Sequence, residues 1–136
     1  MEEFASCRIL VTGGAGFVGS NIVATLVAAD AKVTVLDDLS TGEERNLPRH
    51  PNCRFVRGSV TDPELVAQLA RDAELIVHAA ARNIIVSTRN PREDFETNIG
   101  GTLNVLMAAR AAGVRRMVYT SSASVYGNPR SLPVNE

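Results

Sequence analysis

Short runs of aliphatic and β-branched residues alternate along this chain with longer stretches in which apolar residues recur every three or four positions. The short runs are typical of buried strands, and the longer stretches are typical of helices that cover a sheet. Five strands are predicted: Arg8–Thr12, Lys32–Leu36, Arg54–Arg57, Glu74–His78 and Met117–Thr120. Three helices are predicted: residues 17–29, a helix that begins near Thr61, and residues 91–112.

The predicted helices carry end signals and apolar faces. Thr61 or Asp62 can cap the second helix ahead of Pro63, and Asn90 can cap the third helix, which ends at Gly113. The apolar face of the first helix is predicted to comprise Val18, Ile22, Leu26 and Ala29. The face of the third helix that covers the core is predicted to comprise Phe95, Ile99, Leu103, Leu106 and the stem of Arg110.

This alternation of strands and helices predicts the fold class. Parallel strands need crossover connections, these are almost always right-handed, and the helices in them cover both faces of the sheet. We therefore expect an α/β domain with a doubly wound parallel sheet of five strands in the order 3-2-1-4-5. Residues 1–136 form one domain in this interpretation, and Gly127 to Glu136 is predicted to be a loop.

Composition and charge narrow the function classes. The 136 residues are 45% hydrophobic and carry a formal net charge of -1, with neither sign gathered in a block. This balance argues against nucleic-acid binding and against binding to an anionic membrane. The uncharged stretch between Arg8 and Asp30 is long enough to cross a bilayer, but its glycines and polar residues argue against a membrane span.

The cysteines and histidines do not suggest a metal site. Cys7 and Cys53 are far apart and form no CxxC motif, which argues against a disulfide framework or a zinc site and fits a reducing cytoplasm. His78 follows an apolar strand and precedes three alanines, so it is predicted to be a satisfied core or loop histidine. His50 is predicted to be solvated.

A glycine-rich segment directly follows the first strand. Residues 12–19 read TGGAGFVG and satisfy GxGxxG from Gly14 and GxxGxxG from Gly13, and a strand precedes them while a helix follows. In that context Gly13 permits a tight turn, Gly16 lets the backbone approach a pyrophosphate, and Gly19 lets the helix lie close to the sheet. The amide groups at the helix start then bind the phosphates. A nucleotide-hydrolase phosphate loop is excluded, because no Lys-Ser/Thr pair follows the glycines.

An aspartate lies where a ribose-binding carboxylate is expected. Asp37 ends the second strand. Its carboxylate oxygens would accept hydrogen bonds from ribose hydroxyls, and its negative charge would repel a 2′-phosphate. No arginine precedes Arg45 in the following loop, so NAD is favoured over NADP. The alternative interpretation is a glycine-rich turn followed by an unrelated surface carboxylate.

Five segments in order carry a resemblance to a known family. They are residues 12–19, 36–42 (LDDLSTG), 77–81 (VHAAA), 98–102 (NIGGT) and 120–127 (TSSASVYG). The chain resembles the extended short-chain dehydrogenases/reductases, specifically the NAD-dependent sugar-nucleotide epimerases and dehydratases, with UDP-sugar enzymes nearest. The resemblance implies a Rossmann-like domain that binds NAD and a parent enzyme that acts on a nucleotide sugar.

The resemblance also implies roles for individual residues. Phe17 and Val18 would contact the pyrophosphate through their backbone, and Asn98 would reach the cofactor from the long helix, unless it is only a polar group on a solvated face. The adenosine end would be held by Asp37, Asp38, Leu39, Ser40, Thr41 and Gly42. Ser59 and Val60 would contact adenine, although the family usually has Gly-Asp where this chain has Gly58-Ser59. The nicotinamide ribose would be lined by Ala79, Ala80 and Ala81.

Ser122 matches the family's catalytic serine or threonine, which hydrogen-bonds the reacting sugar oxygen; the alternative is an ordinary serine-rich loop after a strand. The family's Tyr-x-x-x-Lys pair and its C-terminal substrate lobe do not occur in these residues, so we expect the amino-terminal portion of an epimerase or dehydratase, incomplete on the C-terminal side of the sheet. The alternative is a non-catalytic half-domain that binds NAD or adenosine. Family members commonly dimerise through the long helix, so the resemblance admits a homodimer.

Overall fold

The computed structural model describes residues 4–134 and contains a five-stranded sheet whose strands all run parallel. The strands are β1 (Arg8–Thr12), β2 (Lys32–Asp37), β3 (Cys53–Arg57), β4 (Leu75–His78) and β5 (Arg116–Tyr119). Their spatial order is β3-β2-β1-β4-β5, which confirms the predicted topology. The predicted strands agree with the observed ones to within one residue at each end.

Helices connect β1 to β2, β3 to β4 and β4 to β5 and cover the sheet, while the described segment between β2 and β3 contains only a 3₁₀ turn, Glu44–Asn46. The helices are α1 (Phe17–Ala28), α2 (Pro63–Ala70), α3 (Ile84–Arg89), α4 (Pro91–Asp94) and α5 (Thr102–Ala112). A π-helical segment, Phe95–Gly101, joins α4 to α5, so residues 91–112 run as one helical stretch, as predicted. The helix α3 was not predicted, because its 6 residues are too few to show a clear period.

The helix caps follow the predicted side-chain chemistry. The Asp62 side chain accepts hydrogen bonds from the backbone amides of Glu64 and Leu65, so Asp62 is the cap of α2. The Asn90 side chain accepts from the Glu93 amide at the start of α4, and Gly113 ends α5 in the left-handed conformation. These local contacts fix where the helices begin and end.

The core lies in two layers, one on each face of the sheet. On one face α1 packs on β1 and β2 through Val23 and Val27. On the other face α2 and α5 pack together over β1, β2 and β4, with Val66, Val105 and Ala109 among the buried residues. Within residues 4–134, no helix combines the length and apolar character that crossing a membrane requires.

The predicted core face of the long helix is wrong. Phe95 and Ile99 are each 58% exposed, and Leu103 and Leu106 are also exposed. Arg110 is exposed as well. The buried face is formed instead by Thr97, Gly101, Val105, Ala108 and Ala109.

The reason for this error is the close approach of the helix to the segment after β3. A Cβ atom on Gly101 would lie 2.4 Å from Cγ2 of Val60, so only a residue without a side chain fits there. The inward face is therefore built from small residues, while the large apolar residues form a second stripe that faces outward. A helical period cannot tell which of two such stripes is buried.

The predicted apolar face of α1 is also partly wrong. Val18 is exposed, Ile22, Leu26 and Ala29 are half-buried, and the fully buried positions are Gly19, Val23 and Val27. This helix is apolar around most of its circumference, so its pattern does not single out one face.

Candidate functional site: a cleft at the carboxyl ends of the strands

One cleft lies at the carboxyl edge of the sheet, where the loops after β1, β2, β3 and β4 meet. Most of the predicted cofactor-binding residues line it: Gly13, Gly16, Asp37, Asp38, Ser40, Thr41, Ser59, Val60, Ala79, Ala80 and Ala81. Four further lining residues were not predicted: Leu36, Gly58, Arg82 and Thr97. From β1 the sheet is extended first on one side by β2 and β3 and then on the other side by β4 and β5. Ligands of open parallel sheets bind at the carboxyl ends of the strands where the order reverses in this way.

The predicted residues Phe17, Val18, Gly19, Leu39, Gly42, Asn98 and Ser122 do not line the cleft. Phe17 and Val18 lie at the start of α1 with exposed side chains, which leaves only their backbone available to a ligand in the cleft. Gly19 is buried in the first turns of that helix.

The glycine loop is shaped by close backbone contacts. Gly13 has a φ of 68°, a conformation that favours glycine, and a Cβ atom there would lie 2.5 Å from the amide nitrogen of Ala80. A Cβ atom on Gly19 would lie 2.1 Å from the carbonyl oxygen of Gly13. Any side chain at either position would push the loop away from α1 or from β4. The loop therefore keeps its backbone open toward the cleft.

The first turn of α1 can receive an anion. Gly16 is the N-cap residue, no side chain caps this end of the helix, and no acidic residue lies in the first turn. The first amide groups of a helix have no partner within the helix, and the helix dipole adds positive potential there. Gly16 itself lines the cleft, so these amides lie beside it. A phosphate group fits this end of the helix.

Asp37 holds the glycine loop to the end of β2. Its side chain is nearly buried, with 8% of the residue exposed. One carboxylate oxygen accepts a hydrogen bond of 2.9 Å from the Ala15 amide, and the other accepts one of 2.8 Å from the Leu39 amide. Each carboxylate oxygen can accept a second hydrogen bond, so Asp37 retains acceptor capacity toward the cleft that it lines.

The segment after β3 is anchored by the long helix. The Asn104 side chain donates a hydrogen bond of 3.0 Å to the carbonyl oxygen of Val60, and Val60 is buried. The hydroxyl oxygen of Ser59 accepts hydrogen bonds from the backbone amide and the hydroxyl group of Thr61. Ser59 and Val60 thus form a fixed wall of the cleft on the side of β3.

His78 connects the end of β1 to the long helix. The hydroxyl of Thr102 donates to the carbonyl oxygen of Asn98 at 2.6 Å, so at 2.9 Å from the His78 ring it accepts from Nε2–H. Nδ1 then has no proton and accepts from the Thr12 hydroxyl at 2.6 Å. The Thr12 hydroxyl in turn accepts a hydrogen bond of 3.4 Å from the Ala80 amide.

This arrangement confirms that His78 is a satisfied core histidine. The ring is fully buried and stacks on Tyr119 with 5.4 Å between ring centroids. Burial lowers the pKa of His78 to about 4, so the ring is neutral at physiological pH and cannot serve as a cation. Its role is to hold the loop after β4, which carries Ala79 and Ala80, in place.

Asn98 uses its whole side chain on the protein itself. Its oxygen accepts a hydrogen bond of 2.7 Å from the Arg82 amide, and its nitrogen donates to the Arg82 carbonyl at 3.0 Å and to Asp94 at 2.6 Å. The π-helical segment places this amide opposite the loop after β4. Asn98 is therefore half-buried and hydrogen-bonded, and the interpretation of a merely solvated polar group does not hold.

Arg82 spans the cleft from the loop after β4 to the loop after β2. Its Nη2 lies 2.8 Å from a carboxylate oxygen of Asp38, its Nη1 donates to the hydroxyl of Ser40, and its Nε lies 2.8 Å from Glu93. Burial alone would raise the pKa of Asp38, but the hydrogen bonds from Arg82 and Ser40 outweigh it, so this pKa lies below its ordinary value. Nothing in the sequence pattern singled out Arg82, because its partners are far away along the chain.

Ser122 follows β5 at the same edge of the sheet. It is exposed, and its hydroxyl oxygen accepts a hydrogen bond of 3.2 Å from the Ser124 amide, which caps the 3₁₀ turn Ala123–Tyr126. No group of three or more potential metal-ligating side chains occurs among residues 4–134.

Comparison with known proteins supplies independent information. The UDP-glucose 4-epimerase of Mycolicibacterium smegmatis is 43% identical over 135 residues, which are 95% of this chain and 43% of that protein. The structure of Thermus thermophilus UDP-glucose 4-epimerase in complex with NAD superimposes with a TM-score of 0.85 at 40% identity and covers 95% of this chain and 42% of that one. The Thermotoga maritima UDP-glucose 4-epimerase with UDP-glucose gives a TM-score of 0.86 at 36% identity, over 93% of this chain and 42% of that one.

The chain thus spans about two-fifths of the length of the curated relatives that it matches. Its residues 9–136, nearly the whole sequence, match one family across all five strands. On the combined ground of this match, the sheet order and the cleft at the carboxyl ends of the strands, the chain belongs to the NAD dependent epimerase/dehydratase family.

Proposed function

We propose that this chain binds NAD in the cleft at the carboxyl ends of its strands and forms the cofactor-binding part of an enzyme that epimerises or dehydrates a nucleotide sugar. The observation that carries the proposal is the meeting of three features at one cleft. These features are the glycine loop, the uncapped start of α1 and the carboxylate of Asp37. Each is suited to one part of a dinucleotide.

The residues present fit the cofactor. The pyrophosphate would bind the amides at the start of α1, which the absence of side chains on Gly13 and Gly16 leaves accessible. The ribose hydroxyls of the adenosine would bind Asp37, and adenine would lie against Ser59 and Val60. The carboxylate of Asp37 disfavours the 2′-phosphate of NADP, whereas the charge of the neighbouring Asp38 is already paired with Arg82.

The nicotinamide end would lie along Ala79, Ala80 and Ala81, where the backbone borders the cleft. When bound there, the cofactor would supply hydride-transfer chemistry, by which a sugar hydroxyl is oxidised to a ketone once a base takes the hydroxyl proton. Ser122 would hydrogen-bond the sugar oxygen that reacts. Relatives named as UDP-glucose 4-epimerases support a UDP-sugar as the substrate.

One observation favours cofactor binding as the function of these residues, with catalytic residues supplied by the part of the relatives that this chain does not match. Lys32 is the only lysine of this chain. Lys32 begins β2, so it lies at the amino edge of the sheet, opposite the cleft. In the family that the chain resembles, the lysine of the Tyr-x-x-x-Lys pair lies at the nicotinamide ribose, and Lys32 cannot take that place. For this chain alone, the supported activity is NAD binding without turnover.

Calorimetric and thermal titration with NAD tests the proposal. We expect NAD at about 100 times its Kd to stabilise the chain by about 2.7 kcal/mol, with a smaller effect of NADP. Asp37→Asn should weaken NAD binding, because a neutral amide is a poorer partner for two ribose hydroxyls. Asp30→Asn is the matched control, since Asp30 is an exposed residue after α1. A melting temperature of the unsubstituted chain that NAD leaves unchanged would refute the proposal.

A further inference from the structure

We infer that Arg82 is a strap across the cofactor cleft, which must release to admit NAD and which closes again over the bound cofactor to slow its departure. This inference rests on the proposed function, since it assumes that NAD enters this cleft. It concerns the exchange of the cofactor and assigns a positioning role to a residue for which the sequence gives no signal.

The strap joins two rims of the cleft that are far apart in sequence. One rim is the loop after β2, which contains Asp38 and Ser40, and the other is the loop after β4, which contains Arg82. The Arg82 guanidinium contacts both Asp38 and Ser40 across the cleft. Within residues 4–134, no other hydrogen bond or ion pair joins residues 38–42 to residues 79–98.

The strap is anchored at its base. Both backbone groups of Arg82 are hydrogen-bonded to the side chain of Asn98, and its Nε contacts Glu93 at 2.8 Å. The Arg82 side chain is only 13% exposed, so water competes weakly for these contacts. A guanidinium that is paired on both sides and shielded from solvent stays in one position more firmly than an exposed surface arginine does.

The closed strap leaves little space. The cleft encloses a cavity of about 80 Å³. Pockets that hold drug-sized ligands enclose roughly 300–1,000 Å³, and a dinucleotide needs a site of at least this class. Arg82, Asp38 and Ser40 are themselves walls of the cavity. Separation of the two rims at the strap is therefore the direct way to enlarge the cleft.

The consequence for binding is kinetic. Before NAD enters, the contacts of Arg82 with Asp38 and Ser40 must break, which slows association. After NAD has entered, Arg82 pairs again with the loop that contains Asp38 and Ser40, at the wider separation of the two rims that the ligand imposes, and so slows dissociation. Removal of the strap should thus raise both rate constants, whereas removal of a charge that only attracts phosphate would lower the association rate constant and leave dissociation unchanged.

The test measures both rate constants on the full chain by stopped-flow fluorescence, with NADH as the probe and excess NAD to displace it. For Arg82→Gln we expect a dissociation rate constant on the order of tenfold higher, since charge-assisted hydrogen bonds of this kind are lost. The association rate constant should also rise. The matched control is Arg92→Gln, because Arg92 is 86% exposed and pairs only with Glu96 on its own helical stretch; its rate constants should remain those of the unsubstituted chain.

Glu93→Gln supplies a second variant that leaves Arg82 in place. It weakens the contact at Nε of Arg82, so it should raise both rate constants by a smaller factor than Arg82→Gln does. The rate constants of the double variant Arg82→Gln/Glu93→Gln should not exceed those of Arg82→Gln alone. Unchanged rate constants in Arg82→Gln, or a slower association with unchanged dissociation, would overturn the strap while NAD binding by the unsubstituted chain still stood. No NADH binding by the unsubstituted chain would overturn the proposed function, and the strap with it.

Discussion

The buried, neutral His78 makes the stability of this protein depend on pH. Its pKa is lowered from 6.5 to about 4 by burial. The unfolded chain therefore binds a proton at mildly acidic pH that the folded chain does not bind. The contribution of His78 to stability is complete above the unfolded pKa and is lost as the pH falls from 6.5 toward 4.

The magnitude follows from the shift. Each pKa unit corresponds to about 1.4 kcal/mol, so a shift of this size is worth about 3 kcal/mol when it is fully expressed. Between about pH 7.5 and about pH 5, where the unfolded histidine is largely protonated, we expect a loss of about 2 kcal/mol from this residue. That loss is a large part of the stability of a domain of this size.

Urea unfolding at a series of pH values measures the effect. The free energy of unfolding of the unsubstituted chain should decrease as the pH is lowered. In His78→Gln this decrease should be about 2 kcal/mol smaller, even though the variant is less stable than the unsubstituted chain at neutral pH. Val105→Ala is the control, since it destabilises the buried core without removing a titratable group and should leave the pH dependence unchanged. The reasoning would be refuted if His78→Gln lost stability with falling pH as steeply as the unsubstituted chain.

Three further predictions concern the packing of the helices. Gly19→Ala should destabilise the fold by about 2 kcal/mol or more, because its Cβ would lie 2.1 Å from the Gly13 carbonyl oxygen. Gly100→Ala, whose Cβ would lie 3.9 Å from the Phe95 carbonyl oxygen, should be nearly neutral in the same urea experiment. Val105→Ala should lower the free energy of unfolding by about 2 kcal/mol because Val105 is fully buried. A decrease of less than about 0.5 kcal/mol would contradict this. Leu103→Gln should leave the free energy of unfolding within about 0.5 kcal/mol and reduce self-association in sedimentation velocity, since Leu103 is 55% exposed.

The exposed stripe on the long helix bears on the last of these predictions. Phe95, Ile99, Leu103 and Leu106 form an apolar surface that residues 4–134 leave exposed. Such surfaces promote association, so we expect the chain to be marginally stable or to self-associate in solution. If Leu103→Gln sediments as the unsubstituted chain does, this surface is not what drives association.

Much of the fold could be predicted from local signals. The strands were recognisable from short apolar runs, and the caps from single residues such as Asp62 and Asn90. The order of the strands was predicted from the doubly wound class that alternating strands and helices favour, together with right-handed crossovers. The glycine loop and Asp37 were recognisable because their chemistry requires particular residue types at a fixed spacing from a strand.

The remaining features depend on contacts between distant parts of the chain. Which stripe of the long helix is buried depends on how closely Gly101 approaches Val60, and a period of 3.6 residues contains no such distance. The span of Arg82 to Asp38, 44 residues earlier, and the use of the Asn98 side chain on the Arg82 backbone are likewise invisible in the sequence.

Residue order alone was enough to predict the kind of sheet, the glycine-rich turn after its first strand and NAD as the cofactor, because each of these predictions depends on residues that are neighbours along the chain. Long-range contacts determine which helix face is buried, how His78 becomes neutral and where Arg82 crosses the cleft. These features depend on distances and on exclusion of water between segments that meet only after folding, and residue order does not encode them locally.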